Sequence, residues 1–235
     1  QSDVARGLGY TVVDGATTMA THLSVILKGS AHELLGQDEA QQLLDRVAKR
    51  YPNLVTNLIP NKIQLSTVTQ ILQNLLSEGI PVKDMRTITE ALTISKSDSS
   101  DADALTAEVR PKLGRMIIQP LIDPAGKLTV ITFAGDLERI LESSYQKSDG
   151  AHVILEPKLA ESILKALADN AHQIQEKGAV AVLVVSPNLR QWLAKFVKLR
   201  VPELHVLAYT EIPEEQKIEL FGSIGGDNAI EDGGR

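Results

Sequence analysis

The segment Val180-Ala-Val-Leu-Val-Val185 constrains the fold more than any other stretch of this chain. An unbroken apolar run cannot alternate between core and water, so a strand made of it must be covered on both faces. Such strands belong to parallel sheets, whose crossover connections lay helices over the faces. The neighbouring segments agree. A helical pattern opens at Glu156-Pro157, carries Leu159, Ile163, Leu164, Leu167 and Ile174 on one stripe, and stops at Gly178. Ser186-Pro187 starts another helix, with Pro at its first position. Leu128-Thr-Val-Ile-Thr-Phe133, His205-Val-Leu-Ala-Tyr209 and Ile218-Glu-Leu-Phe-Gly-Ser-Ile224 read as strands, and Gly135 to Tyr145 as a helix. Alternating strands and helices predict an open, mostly parallel α/β sheet over residues 119–226.

Upstream the texture is helical, and the fold class is therefore α/β plus all-α. Gln37 to Arg50 carries Ala40, Leu43, Leu44 and Val47 at helical spacing and ends before Pro52. Ser66 is placed to cap a helix holding Val68, Ile71, Leu72, Leu75 and Leu76, which Gly79 ends. Val82 to Ile94 repeats the pattern, Ser95 to Ser100 is a polar loop, and a helix from Asp101 to Ile118 should kink at Pro111. Residues 31–118 thus predict a helical bundle. Residues 1–30 read as the end of a preceding α/β subdomain, with a strand over Tyr10-Thr-Val-Val13, a turn at Asp14-Gly15 and a helix from Ala16 to Lys28. In that helix Met19, Leu23, Ile26 and Leu27 form a stripe expected to face the core. Thr17, Thr21, Ser24 and Lys28 line the opposite, open face. Residues 227–235 are rich in Gly and Asp and read as a disordered tail.

Composition excludes several kinds of function. A net charge of −6 and an aromatic content of 3% suit neither a phosphate-tracking surface nor a base-stacking platform, so no nucleic-acid partner is expected. The densest basic group, Arg190, Lys195, Lys198 and Arg200, scatters around a helix and reads as solvated surface. With no cysteine, disulfides, thiolate zinc sites and thiol nucleophiles drop out. His22, His32, His152, His172 and His205 lie in unrelated elements without metal-ligand spacing. Ser186 follows a strand like a nucleophile elbow, but the flanking glycines of that turn are missing, and an N-cap serine accounts for it. Gly222-Ser-Ile-Gly-Gly226 precedes no helix and reads as a flexible exit, and Glu214-Glu215 as a solvated pair. No cofactor motif is present. The residues predict a non-catalytic interaction module. The alternative is a small-molecule-binding or hydrolytic α/β domain using the sheet's carboxyl edge near Ser186 and Asn188.

A series of short motifs in fixed order narrows this further. It runs Gly9-Tyr-Thr-Val-Val-Asp14, Ala20-Thr-His-Leu23, Leu35-Gly36, Gln41-Gln-Leu-Leu-Asp45, Pro52-Asn-Leu54 and Ile71-Leu-Gln-Asn-Leu-Leu76. Asp84-Met-Arg-Thr-Ile88, Val109-Arg110, Leu113-Gly-Arg115, Leu155-Glu-Pro157 and Val206-Leu-Ala-Tyr-Thr-Glu-Ile-Pro213 complete it. Over residues 8 to 226 the chain resembles the FlhA/LcrD export-gate family of bacterial type III secretion, the flagellar branch more than the injectisome branch. The resemblance implies part of the cytoplasmic domain of an inner-membrane protein, on the cytoplasmic face of that membrane. It implies a nonameric ring that binds export chaperone–substrate complexes and other export-apparatus proteins. It also implies a chaperone-binding site bordered by the Thr of the Ala-Thr-His-Leu motif, Thr21 here.

Overall fold

The computed structural model describes residues 13–148, 153 and 155–225. The expected strand at Tyr10–Val13 lies outside these residues except for Val13, and the expected tail at 227–235 lies wholly outside them. The chain divides into two compact units between Thr106 and Ala107.

The first unit is helical. Its elements are α1 (Gly15–Gly29), α2 (Ala31–Leu34), α3 (Gln37–Ala48), α4 (Pro52–Leu58), α5 (Leu65–Ser77) and α6 (Met85–Ile94), with the start of α7 (Ala102–Val109). The apolar stripes of α3, α5 and α6 meet as the periodicity predicts: Leu44, Ile71, Leu72, Leu75, Ile88 and Leu92 are all fully buried. Pro52 does more than stop the preceding helix. It opens α4 from the first turn, where its missing N–H costs nothing. The cap expected of Ser66 is not made: α5 starts two residues earlier than that cap would place it, with Gln64 at the N-cap and no side-chain cap bond. Ile63, 1% exposed, is buried just ahead of that turn, and Ser66 lies inside the helix. Asp84 caps α6, accepting from the Thr87 amide at 3.0 Å and its hydroxyl at 2.6 Å. Lys62 Nζ closes the other end of α6 by donating to the Thr93 and Ser95 carbonyls, each at 2.7 Å.

The second unit opens with the close of α7, a 3₁₀ turn over Arg110–Leu113 and α8 (Gly114–Ile118). The break at Pro111 falls where the sequence placed it. There follow β1 (Lys127–Phe133), α9 (Gly135–Lys147), α10 (Pro157–Glu176), β2 (Val182–Val185), α11 (Pro187–Lys198), β3 (His205–Ala208) and β4 (Lys217–Ile224). The strands form one sheet in the order β3-β2-β1-β4, and all three pairings are parallel. Register places Ile131 beside Leu183 and Leu183 beside Val206. These side chains share a core with Leu141, Leu167, Ile174, Leu193 and Val197 from α9, α10 and α11. Leu128, Val130 and Val182, on the alternate positions, are buried as well, so both faces of the central strands are covered.

The expected glycine-rich exit is structured as far as Gly225. Gly222 and Ile224 pair with β1, and Gly225 takes φ +87° against Leu137, where a Cβ would lie 2.8 Å from that side chain. Residues 209–216 carry the chain from one edge of the sheet to the other with only a 3₁₀ turn at Tyr209–Glu211 and no crossover α-helix.

Candidate docking site

Among the described residues the side-chain hydrogen bonds of helix α1 are all local. Asp14 caps it, accepting from the Thr17 amide at 2.8 Å and the Thr17 hydroxyl at 2.9 Å. These donors hold the Asp14 carboxyl below its usual range. One turn on, the Thr21 hydroxyl donates to the Thr17 carbonyl at 2.8 Å. Thr17 and Thr21 therefore stand in register along one side of the helix, as the i, i+4 spacing requires.

The opposite side departs from expectation. The stripe of Met19, Leu23, Ile26 and Leu27 does not face a core: Met19 is 70% exposed and Leu23 56%, and no residue of α1 is buried. Helical periodicity collects these side chains on one face, but only a second element covers a face, and among the described residues none covers this one. Ala20, Leu23, Ser24, Leu27, Lys28 and Ala31 outline a shallow, mostly apolar hollow along the helix. Thr21 is exposed and does not line that hollow, although Ser24 and Lys28 of its own face do.

The second unit supplies a contrasting site, and three of the sequence motifs meet in it. The Arg110 guanidinium donates to both carboxylate oxygens of Glu211, at 2.7 Å from Nε and 2.8 Å from Nη2, with both side chains 2% exposed. Arg190 Nε approaches the same carboxylate at 3.9 Å and is itself buried, which corrects its place in the solvated basic group. Gly114 packs so closely that a Cβ there would stand 2.3 Å from the Glu211 carbonyl oxygen. Arg115 pairs with Glu215 on the surface beside it. Thus Glu214-Glu215 is not simply a solvated pair, since Glu215 has this partner and its carboxyl is held low by the local backbone amide and by Arg115. Val109-Arg110, Leu113-Gly-Arg115 and Glu211-Ile-Pro213 form one latch that pins the crossing segment 209–216. Nothing in the local sequence announces it, because the ion pair closes across 101 positions.

At the carboxyl edge of the sheet Ser186 occupies the N-cap position of α11, but its side chain makes no cap bond. The hydroxyl is buried and without a partner, while the Ser186 amide donates to Glu138 Oε1 at 3.0 Å. A carboxylate from α9 therefore occupies the position at which an anionic ligand would meet this helix. Among the described residues no group of His, Cys, Asp or Glu is arranged to hold a metal ion.

A helical unit that includes the bare helix α1 and a parallel α/β unit make up the described fold, and comparison with known proteins gives its family. The FHIPEP family model matches residues 1–217, and the chain belongs to that family. It is 40% identical over 224 residues to the flagellar biosynthesis protein FlhA of Proteus mirabilis, covering 95% of this chain and 32% of that protein. Against FlhA of Escherichia coli K12 it is 40% identical over 218 residues, covering 93% and 31%. The chain spans about a third of the length of these curated relatives, and they support the flagellar branch. Among solved structures it is similar to nonameric EPEC SctV-C, with a TM-score of 0.77 at 26% identity, covering 88% of this chain and 62% of that one. It also shares the fold of Chlamydia pneumoniae CdsV, solved in complex with CdsO, at a TM-score of 0.78 and 23% identity, covering 94% and 65%.

Proposed function

We propose that this chain is a docking and ring-forming module of a flagellar type III protein export gate, and that it works without catalysing a reaction. In this reading it belongs to the cytoplasmic side of a membrane-anchored parent. There it receives chaperone–substrate complexes and other components of the export apparatus. The observation that carries the reading is α1. This helix exposes a complete apolar stripe on one side and a Thr17–Thr21 flank on the other, while α3, α5 and α6 bury theirs. The apolar stripe seats α1 in the assembled parent, and Thr21 borders the surface left open to chaperones. The nonameric state of SctV-C supports the ring, and the complex of CdsV with CdsO supports docking of apparatus components. The taken amide and buried hydroxyl of Ser186 support a non-catalytic role.

Two measurements test this. Light scattering on the parent's full cytoplasmic portion should show mass rising with concentration beyond a dimer, because head-to-tail contacts propagate until a ring closes. Saturation at two subunits would refute the ring. Turnover in a broad hydrolase screen that Ser186→Ala abolishes would refute the non-catalytic reading.

A further inference from the structure

Helix α11 carries two apolar ridges, and folding uses only one of them fully. Leu189, Leu193 and Val197, at i, i+4 and i+8, are buried in the α/β core. Rotated around the helix from these lie Trp192, Phe196 and Leu199, at i, i+4 and i+7. Trp192 and Phe196 are partly buried against the core and stack on each other, with ring centroids 5.3 Å apart and planes at 19°. Leu199 keeps helical backbone angles at the end of α11 and is 91% exposed. The ridge therefore slopes from a half-sunk aromatic pair to a protruding Leu, about 10 Å along the axis at 1.5 Å per residue. This chain has one Trp in all, and it stands here rather than in the core. Single exposed apolar residues are ordinary. An exposed Leu continuous with a rigid, half-exposed aromatic pair is the arrangement of an interface anchor.

We propose that the Trp192–Phe196–Leu199 ridge is a docking surface for an acidic amphipathic helix of a partner protein. A straight ridge of two helical turns fits the apolar face of another helix packed alongside it. The polar neighbours set the sign of the partner. Lys195 borders the ridge on the side away from the core, and Lys198 and Arg200 bracket Leu199, all three exposed. Lys195 and Lys198 also complement the carboxyl end of α11. Arg200 lies beyond that end and is not among its last-turn cations. An anionic membrane is the poorer fit, because the aromatic rings rest on the core instead of projecting and the cations are fewer than lipid-binding clusters use. The surface lies within the second unit and is independent of the α1 reading.

The single Trp makes the ridge its own reporter. Intrinsic fluorescence of the whole chain is followed during titration with a designed amphipathic helical peptide of about 20 residues, with a Leu face flanked by Glu. Controls are the same peptide with Lys in place of Glu, and mixed phosphatidylcholine–phosphatidylglycerol vesicles. The acidic peptide should give a saturable change in Trp192 emission at least about tenfold tighter than the basic one. Leu199→Asp, checked for an unchanged circular-dichroism melt, should weaken it by about tenfold or more, and Arg200→Glu should narrow the gap between the two peptides. The proposal is overturned by equal binding of both peptides, by no saturable change, or by a response to vesicles alone. An emission change that tracks the chain's own concentration without peptide would assign the ridge to a second copy and overturn it too.

Discussion

Helix α1 and the Arg110–Glu211 latch carry charge and apolar surface in opposite ways. Among the described residues the side-chain hydrogen bonds of α1 are all local, from Thr17 to Asp14 and from Thr21 to Thr17, and its apolar side chains are exposed. In the latch the partners come from distant segments, the ion pair is dry, and even a methyl group on Gly114 has no room. The difference separates surface from scaffold. A segment whose order depends on nothing distant is available for contact, whereas one whose buried charge depends on a distant partner holds the fold.

Substitutions can break this comparison, and the largest effect belongs to the latch. Glu211→Ala removes the carboxylate that Arg110 grips and Arg190 faces, leaving buried guanidinium groups under-compensated. The expected loss is about 3–5 kcal/mol, read as a lower urea midpoint. A matched pair sharpens the contrast. Leu167→Ala, at a fully buried position of α10, should cost about 2–5 kcal/mol. The same truncation at the exposed Leu23 should stay within about 0.5 kcal/mol. Equal costs would show that the α1 stripe is covered. Gly114→Ala should cost about 1–3 kcal/mol, because the obstruction is the Glu211 backbone, which cannot rotate aside as a side chain could.

The smallest effect is the pH response of the α1 cap. Asp14 is depressed by its hydrogen bonds to Thr17, so its contribution is present above the ordinary carboxylate range and lost as pH falls through the lowered value. Helicity of α1, followed by amide exchange at Thr17 and Thr18, should loosen only in acid. Asp14→Ala should remove that dependence.

The same contrast explains what was legible in the sequence. Strands Lys127–Phe133 and Val182–Val185 and the stripe of α10 were readable because apolar pattern and burial coincide there. The stripe of α1 has the same pattern, and its burial was misread because periodicity says which residues share a face, not what covers it. Arg190 looked like one of several surface cations because helical angle does not reveal a carboxylate arriving from residue 211. Ser186 looked like a simple cap, but the cap position is served from α9 by Glu138. Thr21 is on an open flank as the spacing predicts, while the role proposed for it rests on family resemblance and not on any local feature.

The proposed docking role rests most heavily on that flank of α1 being a contact surface. Calorimetric titration of an export chaperone–substrate complex into the parent's full cytoplasmic portion, with and without Thr21→Asp, tests it most directly. A carboxylate placed at a protein contact would be buried unpaired or sterically excluded. The expected result is at least a tenfold loss of affinity, about 1.4 kcal/mol, with the thermal midpoint unchanged. Unchanged affinity in the Asp variant would contradict it and leave Thr21 an ordinary solvated helix residue.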